Sequence, residues 1–286
     1  MITGANGFIA KKIARILKEE GLFVIGTSRN PSFVPDYDEV VSGILSEPLK
    51  DIFGNNKIDA VVHCAYDKDE MDNVNNAEGT LIWAEQAEKS EVELQIFLSS
   101  ISADNDALSP YGRKKYEVEK WFTAHNQVVF RLGLVIGNGG LFGRIISTVK
   151  KSPVIPLIDR GETLMYPSDV DTISKIVRDT ILNKNEVKRG RVWCLQQENP
   201  VLFVDILREI RKQYDLTRLF VPVPYFAIST LLTLIEKLKF LKLGINAENL
   251  KWSRQVQDKK FKSDLKYLGY PESDIEILIK KALNQE

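Results

Sequence analysis

The chain has 286 residues, 44% of them hydrophobic and 27% charged, and its 39 basic and 39 acidic side chains leave a formal net charge of zero. Those proportions suit a soluble globular protein with a sizeable core, built as one large domain or one and a half. They carry no nucleic-acid footprint: the short basic runs Arg113-Lys114-Lys115 and Lys259-Lys260-Phe261-Lys262 read as solvated helix faces. The two cysteines, Cys64 and Cys194, fall on separate predicted strands, so no disulfide framework is expected and a reducing, cytoplasmic setting fits. His63 and His125 are the only histidines, no Cys/His cluster has metal spacing, and His63 is expected to be a packing residue.

Met1-Ile2 leads directly into Thr3-Gly4-Ala5-Asn6-Gly7-Phe8-Ile9-Ala10, and no leader segment is expected before it. Ile9, Ile13, Ile16 and Leu17 then recur at helical spacing, Gly21 stops the helix, and Leu22 to Ile25 opens a second strand. A strand, a glycine turn, a helix and a strand make a dinucleotide-binding unit. Gly4 permits the tight turn, Gly7 lets the backbone approach a pyrophosphate at the helix N-terminus, and Ala10 stands where close helix–strand packing asks for a third small residue. Only three residues precede Gly4, whereas a central parallel strand usually spans about five or six. Several further residues before Met1, or a weakened first strand, are therefore expected.

Strands are predicted near Phe23–Thr27, Glu39–Val41, Ala60–Cys64, Ile96–Leu98 and Val128–Leu132, alternating with helices. That pattern is α/β: a doubly wound parallel sheet of the Rossmann type, here covering residues 1–137 with a return at about 166–198. At the end of the fifth strand stand Ser99-Ser100, and Ser109-Pro110 then starts a helix running to about Phe122. Tyr111 and Lys115 lie four apart on one face of it. An ammonium group beside a phenol favours the phenolate, which would bring Tyr111 toward a useful acid/base range, and a serine hydroxyl at the strand end can hold a substrate oxygen.

Beyond Gly137 the alternation loosens. Leu141–Val149 reads as helix, Pro153 to Pro156 breaks it, Thr172–Leu182 is helical, Arg191–Leu195 returns to the sheet, and the chain from Pro200 reads as mostly helix. Residues 138–165 and 199–286 are expected to form a smaller substrate lobe. Within it, 225–245 is an apolar run followed by interleaved lysines. It is too short to span a bilayer, reads first as a helix covering the substrate lobe, and has as its sharper reading a weak contact with an anionic membrane surface.

Taken in order, Thr3-Gly4-Ala5-Asn6-Gly7-Phe8-Ile9, Asp59 to Ala65, Asn76-Ala77-Glu78-Gly79-Thr80, Leu98-Ser99-Ser100, Ser109 to Lys115 and Arg131 to Gly137 resemble the extended short-chain dehydrogenase/reductases, the NAD(P)-dependent epimerase/dehydratase family. The resemblance implies Ser100 as the substrate-orienting hydroxyl, Tyr111 as general acid/base, and Lys115 as the residue that binds nicotinamide ribose and tunes Tyr111. It implies a cofactor cradle of Gly4, Asn6, Gly7, Phe8, Ile9, Ser28, Arg29, Ala65, Tyr66 and Leu98 together with Tyr111 and Lys115. It also implies a nucleotide-sugar substrate and leaves a homodimer open. The chain departs from the family at Ile44, where an acid near Val41 to Leu45 serves adenine. It departs again in the short segment between Ser100 and Tyr111.

The second strand ends Ser28-Arg29 where an acid would hold ribose hydroxyls, so NADP(H) is expected over NAD(H), with Arg29 free to pair a phosphate through two parallel hydrogen bonds. Arg29 stacked on adenine is the plainer alternative. Dehydration is disfavoured, because Ile101-Ser102 follows Ser100 where dehydratases carry an acidic pair. That leaves a keto-reductase or an epimerase, with Arg144 a candidate diphosphate contact or a plain surface residue. A non-catalytic NADPH-binding sensor or structural subunit is the other class; retention of Ser100, Tyr111 and Lys115 speaks for an enzyme.

Overall fold

A computed structural model describes residues 1–31, 34–49, 52–55, 57–67, 74–183, 188–223 and 259–284. In chain order the strands are β1 Ile2–Thr3, β2 Ile25–Ser28, β3 Glu39–Ser42, β4 Ala60–His63, β5 Leu94–Ser100, β6 Val128–Leu132, β7 Leu134–Ile136, β8 Val154–Ile158, β9 Leu164–Met165, β10 Pro167–Asp169, β11 Arg191–Cys194, β12 Val201–Leu202 and β13 Leu219–Val223. The helices are α1 Phe8–Glu19, α2 Ile52–Asn55, α3 Val74–Lys89, α4 Pro110–Ala124, α5 Gly140–Lys151, α6 Val170–Leu182, α7 Phe203–Gln213 and, last among the described residues, α8 Ile275–Leu283. The chain divides into two units, Met1–Leu132 with Val170–Leu195, and Gly133–Asp169 with Gln196–Glu286.

The first unit is a doubly wound parallel sheet in the order β11-β6-β5-β4-β1-β2-β3. Its central strands are buried almost without interruption, from Ala60 to His63 and from Leu94 to Ser99. A parallel strand covered by helices on both faces has no solvent side, so it reads as a continuous apolar run. α1 buries Ala10, Ile13, Ala14 and Leu17, one stripe at helical spacing, and packs with α6. It ends where Gly21, with φ +76°, donates to the Lys18 carbonyl while Leu22 donates to that of Leu17. α3 and α4 close over Ala77, Ala84, Phe97, Val118, Phe122 and Val129.

β1 is two residues long and still pairs on both sides, Ile2 with Gly26 and Val62, Thr3 with Thr27. The Met1 amino group donates to the Ala60 carbonyl at 2.7 Å, and burial pulls its pKa down to about 5. β2 begins at Ile25, two residues later than the predicted start at Phe23, and Phe23 is 68% exposed. His63 is buried as expected: its Nε2 pairs with Gln95 Oε1 at 2.9 Å, and its ring meets Phe122 edge-on.

The second unit has its own core. Leu134, Ile136, Phe142, Ile146, Val149, Ile155 and Leu157 meet Val204, Leu207 and Ile210 of α7 and Ile279 of α8. Three strand pairs brace it: β7 with β10, β8 with β13, and β9 with β12. α5 ends at Lys151, ahead of Pro153 as expected, and two strands appear that the sequence did not announce. Val154–Ile158 is a strand, and it pairs in parallel with Leu219–Val223, Pro156 opposite Val221 and Leu157 opposite Pro222. Proline removes a ladder donor but is tolerated on an edge, and a two-stranded ladder consists of edges. The reading of 225–245 lies outside the described residues. Among those described, no helix is long and apolar enough to cross a membrane.

Candidate active site

Thr3 and Gly4 set the first wall of the site. The buried Thr3 Oγ1 accepts from the backbone N–H groups of Cys64 and Ala65, at 2.9 and 3.0 Å, which ties the end of β4 to the end of β1. Gly4 follows with φ +73°, and a Cβ there would meet the Ala65 Cα at 2.8 Å. Any side chain at this position would be strained twice, by dihedral and by contact. Gly7 then donates to the Gly4 carbonyl at 2.8 Å and caps α1 without a side-chain hydrogen bond, and no acid stands in the first helical turn. The opening N–H groups of α1 therefore face the loop, and their partial positive charge suits an anion such as a pyrophosphate.

Asn6 reaches across to the end of β2, where its Nδ2 donates to Ser28 Oγ at 2.9 Å; Ser28 Oγ in turn donates to the Asn30 carbonyl at 3.2 Å. Beside them Arg29 pairs with Asp67 at 3.0 Å. Asp36 and Asp38 serve α1 instead, pairing with Arg15 and Lys18. Ile44, in the acid's place after β3, is exposed.

β5 and α4 build the second wall. Ser109 caps α4 by accepting from the Gly112 N–H at 3.1 Å, and Pro110 occupies the first helical turn. That start fixes Tyr111 in the first turn and Lys115 one turn later. Ser100 stands at the end of β5, and the Tyr66 ring meets the Tyr111 ring edge-on at 5.5 Å. Lys115 Nζ donates to the Leu98 carbonyl at 2.9 Å and lies 4.4 Å from the Phe97 ring centroid and 5.9 Å from that of Tyr111.

Burial governs the ionisation of this group. It pushes the Tyr111 phenol up to about 12, with the Ser100 hydrogen bond acting in the opposite direction. It also pulls the Lys115 ammonium down to about 8, with Cys64 and Glu119 opposing. In Tyr111 burial outweighs the opposing effect of the Ser100 hydroxyl, and the Lys115 ammonium stands 5.9 Å from the centre of the phenol ring. A phenol so raised stays protonated at neutral pH.

The profile of the NAD dependent epimerase/dehydratase family matches residues 1–165, more than half of the chain. The chain belongs to that family. Solved structures of similar fold include a UDP-glucose 4-epimerase with UDP-glucose from Thermotoga maritima, with a TM-score of 0.76 and 17% identity over 99% of this chain and 96% of that one. Another is a UDP-glucose 4-epimerase from Bifidobacterium longum in complex with NAD+ and UDP, at 0.71 and 17% over 99% and 96%. A third, the UDP-glucose 4-epimerase of Thermus thermophilus in complex with NAD, reaches 0.66 and 16% over 78% and 85%. No curated protein matches the chain.

Of the family positions read from sequence, the structure brings Gly4 to Ala65, Asn6 to Ser28, Tyr66 to Tyr111 and Leu98 to Lys115. Phe8 and Ile9 form the first turn of α1. Arg144 lies in the second unit, exposed on α5. Sequence reading missed Thr3 as the tie between β1 and β4, and it missed Asp67. Asp67 is held by Asn76, which accepts from the Asp67 N–H at 2.6 Å and donates to its carbonyl at 2.9 Å. The Asn76 to Thr80 motif carried that signal, but nothing in its spacing points back to residue 67.

Proposed function

We propose that the protein is an NAD(P)-dependent oxidoreductase that moves a hydride to or from a hydroxyl-bearing carbon of a nucleotide sugar, as a keto-reductase or an epimerase. The observation that carries this reading is the Ser100–Tyr111–Lys115 constellation standing in the same unit as the glycine loop. The loop fits a dinucleotide: Gly4 leaves no room for a side chain against Ala65, and α1 starts without a side-chain cap. Gly4, Asn6, Gly7, Phe8 and Ile9 would hold its pyrophosphate, Ser28 and Arg29 its adenosine ribose, and Lys115 its nicotinamide ribose. When bound, the nicotinamide supplies or accepts the hydride.

The side chains divide the remaining work. Ser100 holds the reacting oxygen and Tyr111 gives it a proton during reduction or takes one during oxidation. Lys115 in its charged form favours the phenolate that results. For the reductase, Ser28 and Arg29 are the motivating residues, because they favour NADPH, the usual reductant of biosynthesis, where an acid would repel its extra phosphate. For the epimerase, the similar UDP-glucose 4-epimerases, two of them with a bound nicotinamide cofactor, are the motivating comparison. The sensor reading is disfavoured by the intact constellation.

The test is to incubate the protein with NADPH or NAD+ and a panel of UDP-sugars and their keto derivatives, and to read products by NMR. A new alcohol formed with stoichiometric loss of NADPH identifies a reductase. Inverted stereochemistry with no net change in cofactor identifies an epimerase. Tight cofactor binding with no product from any sugar would overturn the enzymatic reading.

A further inference from the structure

The chain leaves β4 through Cys64, Ala65, Tyr66 and Asp67, and its backbone groups there take side-chain partners. At the near end the Cys64 and Ala65 N–H groups donate to Thr3 Oγ1, at 2.9 and 3.0 Å. At the far end one amide serves both backbone groups of one residue. Asn76 Oδ1 accepts from the Asp67 N–H at 2.6 Å, and Asn76 Nδ2 donates to the Asp67 carbonyl at 2.9 Å. A carboxamide offers a donor and an acceptor side by side, as a peptide group does, so it can stand in for a neighbouring strand. We propose that Asn76 is a positioning residue: it clamps the turn after β4 through the backbone of Asp67, and so keeps Tyr66 against Tyr111 and Asp67 against Arg29.

Asn76 is itself well fixed. It lies in the first turn of α3 and is buried, and its carbonyl accepts from Thr80 Oγ1 at 2.7 Å. Burial makes its amide costly to leave unpaired, which holds it to Asp67. Tyr66 stands between two anchored neighbours, Ala65 and Asp67. It is 39% exposed, so packing alone does not choose its rotamer, yet its ring stands edge-on to that of Tyr111 at 5.5 Å. A backbone held on both sides limits where that ring can go. From the same clamp the Asp67 carboxylate reaches Arg29 at 3.0 Å. The clamp grips the backbone of Asp67 and not its carboxylate, so a phosphate can draw Arg29 away without disturbing the turn. One turn therefore touches residues proposed for both ends of the cofactor.

The inference rests on the cofactor site proposed above, but its test needs no sugar. Tyr66 alone is replaced by meta-fluorotyrosine, the full-length protein is observed by fluorine NMR, and NAD+ is titrated into each variant. NAD+ is the probe because it lacks the extra phosphate, so release of Arg29 does not enter. Asn76→Ala removes both hydrogen bonds. Asn76→Asp keeps the volume and the acceptor but sets a charge beside the Asp67 carbonyl. Both should move the fluorine resonance toward that of free fluorotyrosine and weaken NAD+ binding by roughly two- to ten-fold, as loss of an ordinary hydrogen bond implies. Thr80→Val perturbs the same helix but leaves the amide's two bonds, so its resonance and affinity should match the parent. An unmoved resonance in both Asn76 variants would overturn the clamp, as would an equal displacement in Thr80→Val. A displaced resonance with unchanged NAD+ affinity would overturn it too, since the turn would then be held for stability alone. Failure of the unmodified protein to bind any nicotinamide nucleotide would instead sink the proposed function, and the fluorine spectra would still decide whether Asn76 sets Tyr66.

Discussion

Lys115 and Arg29 are the two cations proposed to hold the cofactor. Lys115 leans on the Leu98 carbonyl and the Phe97 ring, and it stands one turn beyond Tyr111. Lys115→Ala should therefore weaken both cofactor binding, read by fluorescence quenching, and turnover. Loss of turnover with cofactor affinity intact would remove its ribose role. Arg29 is exposed and paired with Asp67. An exposed pair contributes about 0.2–1 kcal/mol, whereas a hydrogen bond to a charged group contributes roughly 1.5–3 kcal/mol. A phosphate should therefore displace Asp67, and NADPH should bind roughly ten-fold tighter than NADH. Arg29→Ala should close that gap and Asp67→Asn should widen it; equal dissociation constants in the unmodified protein would contradict the assignment. Arg29 was legible in the sequence from its place after the second strand. Asp67 was not, because its partner is 38 residues away and only the fold joins them.

At the scale of elements, β4 and β5 carry both the site and the stability. His63 and Gln95 face each other on these strands. The Gln95 side chain also donates to the Ala84 carbonyl, and its backbone N–H donates to Gln127 Oε1, which closes the network. Burial pulls the His63 imidazole down to about 4 from an ordinary value of 6.5. The folded protein thus keeps this base neutral while the unfolded chain takes a proton below 6.5. Its contribution is fully present above that pH and is lost as pH falls toward 4, by about 3 kcal/mol at most. The difference in stability between His63→Gln and the unmodified protein, followed by denaturant unfolding, should change across that window and be flat above it. A difference that stays constant from pH 7 to 4 would show that His63 does not titrate with unfolding. Phe122 lies on the same layer, fully buried between His63 and Phe97. Phe122→Ala should cost about 3–5 kcal/mol, whereas Phe23→Ala, although Phe23 reads as part of a strand, should stay within about 0.5 kcal/mol. Periodicity located α1 and α4 well because each buries one stripe. It misplaced the start of β2 because an apolar run alone does not say where the ladder begins.

For the whole molecule, the first unit was legible because strand and helix alternate and its central strands β4 and β5 are buried along nearly their whole length. The second unit was less so. Its strands are short and pair with partners far along the chain, β9 with β12 and β8 with β13, so neither member carries a pattern that announces the other. Prolines 156 and 222 further disguised a ladder in which an edge strand tolerates them. Turnover as an oxidoreductase would need one proton and one hydride to move together. It is tested most directly by mixing the protein, loaded with NAD+ or NADPH, with the UDP-sugar that the product screen identifies, and following the absorbance of the reduced nicotinamide in a single turnover. The unmodified protein should show the change, and Tyr111→Phe should abolish it while its cofactor titration stays within about two-fold of the parent, since the hydroxyl carries the proton and the ring does not hold the nucleotide. Full single-turnover amplitude and rate in Tyr111→Phe would contradict the assignment at its centre.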